Sequence, residues 1–176
     1  MAEQFLTLMA DLDDASQKRM GEWYDTLKQA GFSGTQTPLP YHISLSTYPL
    51  DLEQEAVALM EKVAADFSPV PVHISHIGIF PGGKVLFGAP ERSAELTALH
   101  DACELGAPQP HPWTPHATLL IDTPETICAA VPTLVRSFSP FVGTIARLHL
   151  CAFWPTREIA AVALSGGGKK NPALSF

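Results

Sequence analysis

The sequence is poor in cysteine and in charge. Its 3 cysteines, Cys103, Cys128 and Cys151, are scattered and form no C-x-x-C pair, so neither a disulfide framework nor a zinc ribbon can be read from them. They read as reduced, mostly buried thiols of a reducing compartment. Charged residues make up 16% of the 176 positions, with 11 Lys and Arg against 18 Asp and Glu and a formal net charge of -7. A protein that holds duplex nucleic acid by its backbone needs a basic face, and this balance argues against one. A few local donors still suffice for a small anion. No apolar run approaches the roughly 20 residues of a membrane span, and the start "MAEQFLTLMADLDD" lacks the basic residues of a signal peptide. The expectation is a cytoplasmic protein with no membrane contact. Low-complexity stretches and obvious linkers are missing too. The 46% of apolar residues instead fits one packed globular body.

Local patterning divides the chain into strands and helices. "QFLTLMA" reads as a buried strand, and "DDASQKRMGEWYDTLKQAG" as a helix capped by Asp13 or Asp14 and stopped at Gly31. "HISLSTYP" is a strand and "DLEQEAVALMEKVAADF" a helix. "PVHISHIGIF" and "KVLFGAP" form a hairpin through "PGG". "ERSAELTALHDACELG" is a third helix, "PHATLLI" a strand, and "PETICAAVPTLVRSF" a fourth helix with Pro132 as a local flaw. "FVGTIARLHLCAFW" and "REIAAVALSG" close the chain as a long hairpin, followed by a loose tail over 166–176. Strands often follow strands here, which indicates an α+β fold with mainly antiparallel sheets in a single domain spanning 1–176.

Two stretches share a pattern. "LPYHISLST" holds His42, Ser44 and Leu45, and "WTPHATLLI" holds His116, Thr118 and Leu119. In a strand, residues two apart point to the same side. Each stretch therefore sets an imidazole beside a hydroxyl and turns its leucine into packing. The composition predicts about 0.1 copies of H-x-[ST]-L by chance. A third, shorter match, His73 with Ser75, lacks the leucine and reads as a surface histidine.

Two imidazoles and two hydroxyls in one cleft suit a phosphoester. In-line displacement needs one proton removed from the nucleophile and another given to the leaving oxygen. An imidazole with a pKa of roughly 6.5 does either task. Hydroxyls donate to the non-bridging phosphate oxygens, where charge accumulates. His73, His76, His100, His111 and His149 are the other candidate metal ligands, but H-x-H, H-E-x-x-H and C-x-x-C are all missing, so no metal or cofactor is expected.

"HISL" and "PHATLL" resemble the two signature tetrapeptides of the two-histidine (2H) phosphoesterases, a superfamily that includes the 2'-5' RNA ligase-like proteins and cyclic nucleotide phosphodiesterases. "HIGIFPGGKVLFGAP" is similar to the family's middle hairpin, and "IARLHLCAFW" with "REIAAVAL" to its closing strands. The resemblance implies a bilobal α+β fold, with pseudo-twofold symmetry, two mainly antiparallel sheets around a central cleft, and helices on the outside. It implies metal-independent hydrolysis of a nucleoside or RNA-terminal 2',3'-cyclic phosphate to a 2'-phosphate. Position by position, it makes His42 and His116 the acid/base pair and Ser44 and Thr118 the phosphate-binding hydroxyls. His116 is assigned to activate water and His42 to protonate the leaving oxygen, and the near symmetry of the site leaves the reverse open. The chain departs from the commonest pattern in carrying Ser44 for threonine and Ala117 for a larger aliphatic residue.

Tyr41, Trp113, Trp154 and Arg157 are candidates for contact with a base or a further phosphate. The expected partner is a small cyclic nucleotide or RNA terminus, bound by a monomer. A non-catalytic nucleotide or RNA-end binding module on the same fold is the alternative. A metal-dependent hydrolase is a third reading, separable by chelation.

Overall fold

The computed structural model describes residues 4–35, 39–106 and 112–167; His111 and the tail over 168–176 lie outside them. Strand β1 spans Phe5–Leu12 and helix α1 Asp14–Gln29. Next come β2 (His42–Pro49), a 3-10 turn (Leu50–Leu52) and α2 (Glu53–Asp66). The hairpin β3 (Val70–Ile79) and β4 (Val85–Pro90) leads to α3 (Ala94–Ala102). Then follow β5 (Ala117–Ile121), α4 (Pro124–Ser137), β6 (Phe141–Phe153) and β7 (Arg157–Ala163).

The sequence signals for helix starts are used as caps. The side chains of Asp13, Ser93 and Thr123 each accept from the backbone N–H three residues on. Because Ser93 takes this role, α3 begins later than the run "ERSAELTALHDACELG" indicates. Pro132 sits inside α4 without ending it. The carbonyl it leaves unbonded is that of Cys128, on an exposed turn.

All strand pairs are antiparallel, in the order β2-β1-β6-β3-β4-β5, with β7 also on β6. The two expected sheets are two halves that share β6. Its residue Ile145 pairs with Leu12 of β1 on one edge and with Val70 of β3 on the other. The order is symmetric about the β6–β3 junction, and it puts β2, which opens on His42, and β5, which follows His116, at opposite ends. Register shifts interrupt five of the six strand pairs. Such bulges add bend and twist, and the sheet curls until β2 comes against β5.

One face of the sheet is packed under helices. Leu6, Leu8 and Ala10 of β1, Ile43 and Leu45 of β2, Leu119 of β5 and Leu148 and Leu150 of β6 lie there, all nearly fully buried. The alternating residues Thr7, Met9 and Asp11 of β1 turn to the other face, beside His42 and Ser44 in register. β1 is thus buried on both faces, apart from its half-buried first residue, as a central strand should be. Among the described residues, no helix is long and apolar enough to cross a membrane.

Candidate active site

Both motif histidines are held in the same way. The Nδ1 of His42 lies 2.7 Å from the carbonyl oxygen of Pro40, and the Nδ1 of His116 lies 2.8 Å from that of Thr114. Each partner is two residues upstream. A carbonyl only accepts, so in both rings Nδ1 carries the hydrogen and Nε2 is the nitrogen left for chemistry. His42 opens β2, whereas His116 stands just before β5, whose ladder starts at Ala117 opposite Gly88. Pro115, with no N–H to offer a ladder, precedes it.

The hydroxyls are arranged crosswise. His42 and Thr118 line one cavity of about 160 Å³ with Tyr41, Pro40 and Gln17. His116 and Ser44 line a second cleft of about 720 Å³ with Phe80 and Trp113. Each histidine therefore shares its cavity with the hydroxyl of the other motif. The structure brings His42, Ser44, His116, Thr118, Tyr41 and Trp113 to these two spaces. Both imidazoles are pushed below their ordinary value of 6.5. For His42 burial is the main cause, opposed by the Pro40 bond and the Asp11 carboxylate and reinforced by charge at His116 and His149. For His116 burial dominates against the Thr114 bond.

Trp113 ties the two motifs together. Its Nε1–H donates to the carbonyl of Ser44 at 2.9 Å. Its ring stacks on His100 with centroids 4.0 Å apart, and the Arg92 guanidinium lies 5.5 Å from its centre. The Nδ1 of His100 in turn bonds the carbonyl of Leu45 at 2.8 Å. Two consecutive carbonyls of β2 are thus held from the segment and helix that precede β5.

Several neighbours of the two histidines escape sequence reasoning. Phe80 packs edge-on against His116 at 4.6 Å between centroids, and Phe87 lies 5.5 Å from the same ring. Asp11 pairs with His42 in strand register and binds the Arg147 guanidinium through Nε at 2.9 Å and Nη2 at 2.6 Å. His149, 3.6 Å from Asp11, touches Cys151 at 3.4 Å through Nε2. Burial pushes the Cys151 thiol up to about 11, so it is a neutral partner. Gln17 of α1 bonds three backbone groups around Tyr41. The alternation that sends Leu6, Leu8 and Ala10 into the core leaves Thr7, Met9 and Asp11 on the opposite, cleft face. No sequence signal marks Gln17.

Trp154 and Arg157 are not brought to the histidines. They lie at the turn between β6 and β7, toward the end of the sheet where Pro49 closes β2. Arg157 holds Glu53 at 2.6 Å, and Trp154 packs on Phe153. His73 pairs with Glu91 at 3.1 Å, away from the cleft. Among the described residues, no three His, Cys, Asp or Glu side chains gather into a metal-binding set.

The model of the 2'-5' RNA ligase superfamily matches residues 12–153. The structure superposes on the crystal structure of TT0787 of Thermus thermophilus with a TM-score of 0.67 at 16% identity, covering 93% of this chain and 100% of that one. It superposes on apo E. coli LigT with a TM-score of 0.63 at 17% identity, covering 92% and 98%. LigT complexed with 3'-AMP gives 0.61 at 18% identity, with 92% and 98% covered. At these identities the likeness is one of fold. No curated protein matches the chain.

Proposed function

We propose that this chain, which belongs to the 2'-5' RNA ligase superfamily of 2H phosphoesterases, hydrolyses a 2',3'-cyclic phosphodiester at the end of a nucleoside or RNA to a 2'-phosphate. The observation that carries the reading is the duplicated histidine geometry: two rings, each with Nδ1–H fixed on the carbonyl two residues upstream and Nε2 left for chemistry. The nucleotide class follows the complex of LigT with 3'-AMP, and comes to this chain by likeness of fold.

Water attacks phosphorus opposite the 3'-oxygen. A neutral Nε2 takes the water's proton as the new P–O bond forms. The P–O3' bond breaks, and the protonated Nε2 of the second ring supplies its hydrogen to the departing oxygen. Ser44 and Thr118 donate to the non-bridging oxygens. We assign His42 as the protonated partner, because the Asp11 carboxylate beside it favours the imidazolium, whereas no carboxylate is among the causes acting on His116. His116 then activates water. The two rings exchange protonation in each turnover, and a fast proton return through solvent resets them.

Turnover of 2',3'-cyclic nucleotides and short RNAs with cyclic ends, followed by phosphorus NMR in chelator, tests the reading. His42→Ala and His116→Ala should each lose about 10²- to 10⁴-fold in kcat while melting near the parent. Full activity in either variant ends it. Binding of the cyclic phosphates without turnover by the parent protein would support a non-catalytic binding module instead.

A further inference from the structure

The site's two histidines are anchored alike at Nδ1 but not alike behind it. His116 takes its carbonyl from Thr114, between Pro115, whose ring fixes the backbone, and Trp113, which is tied to Ser44. His42 takes its carbonyl from Pro40, at the end of a long connection between α1 and β2. Something must fix that carbonyl, because its direction sets the ring. The amide of Gln17 reaches from the first turns of α1 to Tyr41, the residue between Pro40 and His42. Its Oε1 accepts from the Tyr41 N–H at 2.8 Å. Its Nε2 donates to the Tyr41 carbonyl at 2.7 Å and to the Leu12 carbonyl at 3.1 Å. The amide's orientation is unambiguous, since an N–H must meet its oxygen and two carbonyls must meet its nitrogen. Both of its hydrogens and its oxygen are used. The Leu12 N–H also donates to the Tyr41 carbonyl, at 3.2 Å. One side chain therefore clamps both backbone groups of Tyr41 to the end of β1.

We propose that Gln17 is a positioning residue for His42: by fixing the Tyr41 peptide groups it aims the Pro40 carbonyl at Nδ1 and thereby sets the tautomer and direction of the imidazole. The inference rests on the proposed acid/base role of His42 for its catalytic consequence, and is independent of it for its structural one. The geometry leaves little slack. The Pro40 carbonyl belongs to the peptide whose nitrogen is that of Tyr41, so releasing the Tyr41 N–H frees that plane to rotate. Rotation carries the carbonyl away from Nδ1, and the ring can then place its hydrogen on Nε2, the wrong nitrogen for a base and a misdirected one for an acid. Gln17 also faces the cavity shared by His42 and Thr118, so the same amide stands at its wall.

Three variants separate positioning from mere packing. Gln17→Met keeps the length of the side chain and removes every hydrogen bond. Gln17→Glu keeps the acceptor for the Tyr41 N–H but sets a carboxylate against two carbonyls. Gln17→Ala removes both. Nitrogen NMR of the labelled imidazoles reads the tautomer directly, in the protein without substrate. The parent should show His42 and His116 both with hydrogen on Nδ1. In Gln17→Met and Gln17→Ala, His42 should become a mixture of tautomers while His116 stays unchanged. On a cyclic nucleotide, kcat should fall about 10- to 100-fold, the scale of an ångström of misplacement, with KM altered less than about threefold. Gln17→Glu should be at least as damaged as Gln17→Met. A His42 signal that keeps its parent tautomer in Gln17→Met overturns the proposal. So does an equal disturbance of both histidines. Tautomer loss in a protein that has no phosphoesterase activity to begin with would retain the positioning claim and sink only the functional reading.

Discussion

Gly78→Ala is a small change at a place with no room. Gly78 is a β3 residue opposite Phe87 in the hairpin. A methyl built on it would lie 2.5 Å from Phe87 Cζ and 3.3 Å from its Cδ2. An ordinary carbon contact is about 3.5 to 4.0 Å, so the ring must retreat by roughly an ångström. The far end of a phenylalanine ring is often free to swing. Here it is walled by Phe80, with centroids 4.5 Å apart, and by His116 at 5.5 Å. Replacing glycine in a strand gains about 0.5 to 1 kcal/mol of backbone entropy, while overpacking a closed site costs about 1 to 3 kcal/mol. The clash wins, and the net loss is on the order of 1 to 2 kcal/mol. In a chain of this size that lowers Tm by about 2 to 8 °C. A retreat toward either neighbour displaces Phe80 or His116, so kcat on a cyclic nucleotide should fall by about tenfold or more. Differential scanning calorimetry and initial rates check both numbers. A variant that melts at or above the parent with unchanged kcat would refute the claim that Phe87 buttresses His116.

Two further outcomes follow from the ionisable groups. Both site imidazoles lie below 6.5, so the maximum of the bell in kcat/KM against pH should fall on the acid side of that value; a maximum above pH 8 contradicts it. Burial raises the Asp11 carboxyl, but the nearby His149 and the bonded Arg147 guanidinium outweigh it and the net shift is downward. The Asp11 carboxylate 3.6 Å away raises His149 against burial. Asp11 therefore stabilises the fold above its ordinary 3.8 and loses that effect as pH falls through its lower folded value. His149 stabilises it below 6.5 and loses that effect as pH rises through its higher folded value. Urea midpoints should be highest between those two ordinary values, and Asp11→Asn should flatten the decline toward alkaline pH. An unchanged decline in that variant assigns the pH dependence elsewhere.

The doubled H-x-[ST]-L is legible because it is a strand pattern, and strand alternation fixes the side of each residue. Leu45 and Leu119 go into the core and the polar pair out of it on that ground alone. The caps at Asp13, Ser93 and Thr123 likewise stand in local sequence. What surrounds the histidines does not, because it arrives through pairing across the chain. Asp11 reaches His42 through β-ladder register, and Trp113 reaches Ser44 from 69 residues away. Gln17 reads in sequence as one more solvated helix position. Trp113 is a base-contact candidate by its place in the chain, yet its indole N–H is engaged with the protein itself. Trp154 and Arg157 are candidates by their place at a turn, but the turn caps the end of the sheet away from His42. A turn's sequence tells where the chain reverses and not which end of a sheet it reverses at.

β6 is held by ladders on both edges at Ile145, where the two halves of the molecule meet. Rotating one half against the other would tear those bonds, so the spacing of the nitrogens proposed for catalysis is a property of the backbone weave and not of a hinge. Under the proposed function, selectivity then rests on what fits between strands held at that spacing. Rigid mimics of the cyclic phosphate should lose little against flexible ones, since two halves laddered to one strand do not hinge to reward adaptability.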